Sequence, residues 1–382
     1  MSIRKNITVL GSGIMGHGIA QVSAMAGYNV ILRDIDLILL NKALDKIKWS
    51  LSKLAEKNKI TQIESEAIFK RITPEINLEK SLAGTDFIVE AVPEDLEIKR
   101  KLYAEVDRFA DEEAIYASNT STLPITEMAA LTKRPDKFIG LHFFNPPQLM
   151  RLVEVIPGRE TRPETTKSAL DFVKQLGKES VLCKKDVVGF IVNRIFIPLV
   201  HEAAYFLDRD GVTMTQLDSA VKYKMGYPMG IFELADYTGL DIIYKATLEM
   251  FARDKKLINP HPRIKQLVDS QYFGKKTGKG FYEYSSNSYE RINLTSEEAE
   301  KYNPIGLVAT AANNAAWLIS NNVCTKADLD KALNLGMGLK TDLFETVKQF
   351  GVKNVLTKLN EMSAKYGARY EPNPHIGTYE DK

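Results

Sequence analysis

The chain has 382 residues, of which 44% are hydrophobic and 26% charged, as in globular proteins with more than one domain. A formal net charge of +2 argues against a protein that binds nucleic acid with its whole surface. Two cysteines in apolar surroundings predict buried thiols rather than a disulfide framework or metal cluster. Without a membrane-length apolar stretch or a secretory signal in the sequence, we expect a cytoplasmic protein with no membrane partner.

The first 36 residues contain a dinucleotide-binding fingerprint. An apolar run at 7–10 leads into a glycine motif and a helix-length segment, and a second run at 29–32 leads to Asp34. The motif residues are Gly11, Gly13, Ile14, Met15 and Gly16. Such glycines allow a tight turn, close approach of a pyrophosphate and close helix–strand packing, while the acidic residue binds a ribose hydroxyl. The motif predicts an NAD site, with NADP as the minor interpretation because Arg33 lies beside Asp34.

A lysine-rich segment follows the fingerprint. Residues 36–69 have a helical apolar periodicity, and between Lys42 and Lys59 six lysines stand against two acidic residues. This charge is explained either by a solvated helix face or by a strip that docks an anionic substrate, such as a phosphorylated carrier. The residues alone leave both explanations open.

Strands alternate with helices in the first half of the chain, which predicts a parallel, doubly wound sheet. Apolar runs at 87–92, 114–118 and 138–144 predict three of its strands. The second of these runs continues into a polar loop that contains Asn119 and Ser121. Sheets of this type bind ligands at the carboxyl ends of their strands, so we expect this loop to lie in the site.

A histidine and a glutamate form the candidate acid/base pair. His142 lies near the end of one predicted strand, two prolines force a turn, and Glu154 lies in the next strand at 152–156. The turn can bring Glu154 close to His142. A lone histidine is more often structural, but a carboxylate partner beside a cofactor site fixes its tautomer and favours its protonated form. Four others have no such partner in the sequence and are interpreted as structural or surface residues: His17, His201, His261 and His375.

The composition becomes helical near residue 186. Helices are predicted at 190–207, 214–224 and 239–251. A loop rich in glycine and lysine at 274–280 either contacts a phosphate or closes a structural turn, and the two explanations have equal weight.

The end of the chain repeats this helical region. At a constant offset of 112 residues, 11 of 37 ungapped positions are identical, although Asn193 is replaced by Ile305. We therefore predict three domains. They are an α/β Rossmann-type, doubly wound domain at 1–185, an all-α domain at 186–284, and a degenerate duplicate of the all-α domain at 285–382.

Taken together, the motifs resemble the 3-hydroxyacyl-CoA dehydrogenase family. The resemblance covers residues 5–284 and rests on GSGIMGHGIA, VEAVPED, SNTST, GLHFFNPPQLMRLVEV, DVVGFIVNR, GYPMGIFELAD and GKKTGKGFY. It implies NAD-dependent oxidation of (S)-3-hydroxyacyl-CoA to 3-oxoacyl-CoA, or the reverse, with most similarity to short-chain 3-hydroxybutyryl-CoA dehydrogenases. One departure is Val187-Val188, where the family often has Thr-Pro. The sequence contains no hydratase-like segment, so we expect hydration to belong to another polypeptide.

The resemblance also implies roles for individual residues. Catalysis is implied for His142, Glu154, Ser121 and Asn193. NAD contacts are implied for Gly11, Gly13, Ile14, Met15, Gly16, Asp34, Glu94, Lys99, Asn119, Ser121 and Asn145. Contacts to the CoA of an acyl-CoA thioester are implied for Ser50 and Lys57, which favours the docking-strip explanation of the lysine-rich segment. No metal is implied.

In this family the helical domain supplies the dimer surface, so we expect the degenerate copy to pack on the first as an intramolecular pseudo-dimer. Its buried face is predicted to contain Leu307, Ala311, Ala315 and Leu318, and further homo-oligomerisation stays open. Two alternative functions remain. One is a β-hydroxyacid or sugar-acid dehydrogenase, which would not need the lysine strip or Asn193. The other is a catalytically silent structural relative, as lens crystallins of this superfamily are.

Overall fold

The computed structural model describes residues 6–285 and 291–379, so the outermost predicted residues and the segment 286–290 lie outside it. The chain divides into two compact units, 1–186 and 187–382. This boundary lies one residue from the predicted start of the all-α region. The further division near residue 284 stays a prediction.

Within the described residues, the first unit contains an eight-stranded sheet of order β3-β2-β1-β4-β5-β6-β7-β8. The strands are β1 (Asn6–Leu10), β2 (Asn29–Arg33), β3 (Ile72–Glu75), β4 (Phe87–Glu90), β5 (Ile115–Ser118), β6 (Phe138–Phe143), β7 (Leu152–Pro157) and β8 (Glu179–Leu182). The helices are α1 (Ile14–Met25), α2 (Leu37–Glu56), α3 (Gln62–Lys70), α4 (Leu78–Leu82), α5 (Leu96–Phe109), α6 (Ile125–Ala129) and α7 (Pro163–Gln175). The predicted α/β Rossmann-type unit is confirmed.

The sheet differs from a purely parallel one at a single pair of strands. All paired strands run parallel except β6 and β7, which are antiparallel. Every residue of β4, β5 and β6 is buried, because the central strands of such a sheet are covered on both faces. The edge strand β3 was not predicted, since its short sequence ITPE lacks an apolar run.

The lysine-rich segment forms two helices rather than one continuous helical pattern. The side chain of Asp36 caps α2 by accepting a hydrogen bond from the backbone of Ile38. Thr61 and Glu64 form a capping box that starts α3 after a five-residue break. The apolar stripe of α2 is buried, so its lysines occupy the remaining faces.

The second unit is helical, as predicted. Its helices are α8 (Val192–Asp210), α9 (Met214–Lys224), α10 (Ile231–Thr238), α11 (Leu240–Arg253), α12 (Pro262–Asp269), α13 (Ser296–Glu300), α14 (Ile305–Ser320), α15 (Lys326–Met337), α16 (Leu343–Phe350) and α17 (Val352–Tyr366). Four of them were not predicted: α10, its copy α16, α12 and α13. The bounds of α10 and α16 differ by 112 residues at both ends.

The repeat is explained by helix caps and connections. Thr213 and Thr325 cap equivalent helices with their hydroxyl groups. Gly239 and Gly351 join equivalent helix pairs with φ values of 103° and 83°, a region that favours glycine. The duplicated sequence therefore corresponds to a duplicated set of helices, α8–α11 and α14–α17.

The two copies pack against each other through α8 and α14. Gly306, at the start of α14, lies so close to Phe206, near the end of α8, that a Cβ would come within 2.3 Å of the ring. Trp317, near the end of α14, lies against Arg194 at the start of α8. The helices are therefore antiparallel. The predicted buried face is confirmed by four fully buried residues: Leu307, Ala311, Ala315 and Leu318.

The glycine- and lysine-rich loop closes a turn on Asp236. A Cβ on Gly274 would lie 2.3 Å from the Asp236 carbonyl oxygen, and a Cβ on Gly280 would lie 2.0 Å from its carboxylate. The Asp236 carboxylate accepts hydrogen bonds from the backbone of Phe281 and Tyr282. These contacts favour the structural explanation of the loop over a phosphate site.

Three smaller expectations can be compared with the structure. Cys183 and Cys324 are buried and form no disulfide, as predicted. Burial lowers the pKa of His201 to about 3, which keeps its ring neutral beside Thr247. In contrast to the sequence analysis, His261 does have a carboxylate partner, because the Asp208 carboxylate lies 3.2 Å from its Nε2.

Across residues 6–285 and 291–379, no helix is long and apolar enough to span a membrane. The same residues contain no group of His, Cys, Asp and Glu side chains arranged to hold a metal ion.

Candidate active site

The antiparallel pair β6–β7 brings the predicted acid/base residues together. His142 and Glu154 are direct partners in the register of the two strands. The Nδ1 atom of His142 lies 2.6 Å from the Glu154 Oε2 atom. The histidine is 7% exposed and the glutamate 0%, so this hydrogen bond lies inside the first unit.

The hydrogen bond determines which ring nitrogen of His142 carries a proton. An ionised carboxylate can only accept, so the His142 Nδ1–H donates to Glu154. In the neutral ring the other nitrogen, Nε2, is then unprotonated and able to accept a proton. When it does, the carboxylate stabilises the positive charge of the imidazolium. The pair is therefore arranged for general acid/base chemistry.

The glycine motif has one position that the fold leaves open. Gly11 has φ +97°, and a Cβ there would lie 2.6 Å from the Ala91 carbonyl oxygen. A Cβ on Gly16 would lie 1.8 Å from the Gly11 carbonyl oxygen. A Cβ on Gly13, by contrast, would meet no protein atom within 4 Å. The open space at Gly13, at the N-terminus of α1, fits the approach of a pyrophosphate.

Asp34 lies directly after β2, next to this turn. Its Oδ2 atom accepts hydrogen bonds from the backbone and hydroxyl of Ser12, at 2.7 and 2.6 Å. Its Oδ1 atom accepts from the backbone of Ile35. The carboxylate is thus held beside the glycine motif, where the fingerprint requires the group that binds a ribose. These residues fit NAD.

A buried charge network underlies the loop after β4, and it was not predicted from the sequence. Lys99 of α5 is 1% exposed and lies 2.8 Å from Glu90 and 2.9 Å from Glu94. Glu90 also accepts hydrogen bonds from the hydroxyls of Tyr103 and Ser118. In the sequence these residues belong to separate strands, a loop and a helix, so their contacts are not evident.

The same network sets the charge of Glu94. Burial alone would raise the pKa of Glu94, but the Lys99 ammonium and hydrogen bonds from Thr120 and Ser121 hold it below its usual range. Burial likewise disfavours the charged form of Lys99, yet Glu90 and Glu94 raise its pKa. Lys99 thus lies between two carboxylates, and its contact with NAD stays a prediction.

The polar loop after β5 is anchored to its neighbours. The backbone of Ser121 and the hydroxyl of Thr120 donate to the carboxylate of Glu94. The side-chain oxygen of Asn119 accepts from the backbone of Phe143 on β6, at 2.9 Å. Ser121 is therefore held by the loop after β4, and Asn119 is held by β6. Both lie at the edge of the sheet where His142 lies.

The remaining predicted residues are distributed over both units. Asn145 is exposed in the loop after β6, and Lys57 is exposed at the end of α2. Ser50 is half-buried and accepts a hydrogen bond from Gln21, which is also bonded to Gln148 beyond His142. The lysine-rich helix is thus connected to the loop that follows His142. Asn193 lies in the second unit, at the second residue of α8.

A glycine turn that fits a dinucleotide and a buried histidine–carboxylate pair define a Rossmann-type oxidoreductase. The family model "3-hydroxyacyl-CoA dehydrogenase, NAD binding domain" matches residues 6–187. The model "3-hydroxyacyl-CoA dehydrogenase, C-terminal domain" matches residues 189–284 and 306–379. The chain belongs to the 3-hydroxyacyl-CoA dehydrogenase family. This result confirms the resemblance, and the second matched segment agrees with the duplicated helices.

Individual relatives support this membership. The human mitochondrial hydroxyacyl-coenzyme A dehydrogenase is 43% identical over 74% of this chain and 92% of its own length. The 3-hydroxybutyryl-CoA dehydrogenase of Bradyrhizobium diazoefficiens is 38% identical over 74% of this chain and 96% of its length. The crystal structure of 3-hydroxybutyryl-CoA dehydrogenase from Escherichia coli covers 98% of both chains, with a TM-score of 0.87 and 25% identity.

Substitutions at two glycines should separate cofactor binding from folding. Gly13→Ala should leave the melting temperature unchanged but weaken NADH binding on the order of tenfold or more, since the methyl group occupies the open space. Gly16→Ala should destabilise the protein by about 1–3 kcal/mol or more, because the methyl group overlaps a backbone oxygen. Thermal unfolding and a fluorescence titration with NADH measure both effects. Unchanged NADH affinity in Gly13→Ala would contradict the placement of the pyrophosphate.

Proposed function

We propose that this chain catalyses the NAD-dependent oxidation of (S)-3-hydroxyacyl-CoA to 3-oxoacyl-CoA, and the reverse reduction, with 3-hydroxybutyryl-CoA as its substrate. The observation that carries the proposal is the buried 2.6 Å hydrogen bond between His142 and Glu154. Strands β1, β4, β5 and β6 run parallel, so their carboxyl ends lie at one edge of the sheet. His142 therefore shares this edge with the glycine motif and the loop of Asn119.

The proposed chemistry divides the work between the chain and its cofactor. When bound, NAD accepts a hydride from C3 of the hydroxyacyl group. His142 removes the hydroxyl proton through Nε2, and Glu154 stabilises the imidazolium that results. In the reductive direction the protonated His142 donates its Nε2 proton to the C3 oxygen. Burial of the pair keeps bulk water away from this proton transfer.

The family resemblance supports further assignments, which remain part of the proposal. Ser121 and Asn193 are assigned to the substrate oxygen, and Asn145 and Glu94 to the cofactor. Ser50 and Lys57 are assigned to the CoA moiety, whose phosphates are complementary to the charge of the lysine-rich helix. Residues 42–59 carry six lysines and two acidic residues.

Two alternatives are less well supported. Membership of the 3-hydroxyacyl-CoA dehydrogenase family disfavours a hydroxyacid or sugar-acid dehydrogenase. A silent structural relative would have no need to retain a paired His142 and Glu154 beside an open Gly13. We also propose that the protein is located in the cytoplasm. Cell fractionation with an antibody against the chain tests this location.

Replacement of the histidine tests the proposed function. The wild-type protein should oxidise NADH in the presence of acetoacetyl-CoA, at least about tenfold more efficiently than NADPH because Asp34 disfavours a 2′-phosphate. His142→Gln should lower kcat on the order of 10²–10⁴-fold, with unchanged NADH affinity. His375→Gln in the second unit is the matched control. If the His142→Gln enzyme retains more than about a tenth of the activity, His142 is not the base.

We further propose that the second helical copy replaces the partner subunit of a family dimer. The antiparallel contact of α8 with α14 supports this proposal, since related copies meet through the same helix. Covalent linkage gives the copy a high effective concentration, so the internal pairing should exclude pairing between chains through α8.

Truncation after Tyr284 tests the pseudo-dimer. The shortened protein should bind NADH, because the glycine motif lies in the first unit. It should also dimerise or precipitate, because the apolar surface of α8 is uncovered. Light scattering and a nucleotide titration measure the two properties. A soluble, monomeric and fully active truncated protein would show that the copy does not cover this surface.

A further inference from the structure

Arg194 directly follows Asn193, the proposed substrate contact, and its side chain makes hydrogen bonds and an aromatic contact. It is 4% exposed, at the third residue of α8. Its Nη2 atom donates to the Asp254 carboxylate at 3.1 Å, and its Nη1 atom donates to the Val188 carbonyl at 3.4 Å. The guanidinium thus contacts the backbone just before α8, in the segment that leads to Asn193.

This segment has an unusual backbone. Gly189 has φ +77°, and Phe190, which has a side chain, has φ +50°. A residue other than glycine keeps this conformation only when its surroundings determine it. Phe190 is fully buried, and the backbone N–H of Arg194 donates to the Gly189 carbonyl at 2.9 Å. Arg194 therefore binds the segment through its main chain and its side chain.

The face of the guanidinium is covered by the second helical copy. The Arg194 Cζ atom lies 3.6 Å from the ring centroid of Trp317 on α14. A guanidinium stacked on an indole at this distance gains from cation–π attraction and loses rotational freedom. Asp254 and Trp317 thus fix Arg194 from its edge and its face.

We infer that Trp317 is a positioning residue that orients Asn193 by holding Arg194 against residues 188–190. The inference rests on the proposed function, in which Asn193 contacts the substrate oxygen. It assigns the degenerate copy a part in catalysis beyond covering α8. An alternative is that Trp317 only adds packing between the copies, in which case its loss would change stability but not turnover.

Two substitutions at Trp317 distinguish these roles. Trp317→Leu keeps apolar volume but removes the ring, and it should lower kcat with acetoacetyl-CoA on the order of tenfold. Trp317→Phe keeps an aromatic face and should restore most of the rate. NADH affinity should be the same in both, because the nucleotide site lies in the first unit.

A similar stack elsewhere provides the control. The Arg209 Cζ atom lies 3.7 Å from the ring centroid of Tyr366, near the other end of α8. Tyr366→Leu removes this stack far along the helix from Asn193. It should lower the melting temperature by an amount comparable to Trp317→Leu, yet change kcat by less than about twofold.

A double-mutant cycle tests the route through Asn193. In an Asn193→Ala background, Trp317→Leu should have no further effect on kcat, because the group that it positions is absent. Equal effects of Trp317→Leu and Tyr366→Leu on kcat, failure of Trp317→Phe to restore the rate, or additive effects in the cycle would each overturn the inference. A wild-type protein inactive with acetoacetyl-CoA would overturn the proposed function and this inference with it.

Discussion

The hydrogen bond between Glu154 and His142 is the interaction on which the site depends. A carboxylate with no exposed surface is costly unless it is paired, and His142 supplies the pairing. The pair exists because β7 turns back against β6 in an otherwise parallel sheet. The antiparallel register of β6 and β7 thus pairs the buried carboxylate and produces a histidine with a defined tautomer.

Around this pair, the rest of the site is held by interactions between neighbouring strands. Lys99 joins Glu90 of β4 to Glu94 of the following loop, and Glu94 in turn holds the loop of Ser121. Lys99 and Glu90 are buried, and removal of either one would leave the other as an uncompensated buried charge. The consequence is a site whose polar groups are oriented before any ligand binds.

The features that were predicted from the sequence depend on local requirements. The motif at 11–16 predicted the nucleotide turn, because Gly11 and Gly16 are required by close backbone contacts and Gly13 leaves open space for a ligand. The repeat predicted the second set of helices, since their caps and glycine connections recur in the sequence. The prolines after His142 indicated the turn that places Glu154 opposite it.

Other features depend on tertiary packing and could not be predicted. The burial of Lys99 follows from how α5 lies on the sheet, which its sequence does not show. The break between α2 and α3 is different, because Thr61 and Glu64 have the spacing of a capping box and this local signal could have predicted it. The stack of Trp317 on Arg194 joins distant parts of the chain and becomes evident only when α14 is packed on α8.

The tautomer of His142 is the quantity that tests this account most directly. Nitrogen-15 NMR of the histidine-labelled protein, with the resonances of His142 assigned by their loss in His142→Gln, measures the protonation of each ring nitrogen. At a pH where the ring is neutral, we expect a protonated Nδ1 and an unprotonated Nε2. A neutral ring with the proton on Nε2 would contradict the donation to Glu154 and the proposed role of His142 as proton acceptor.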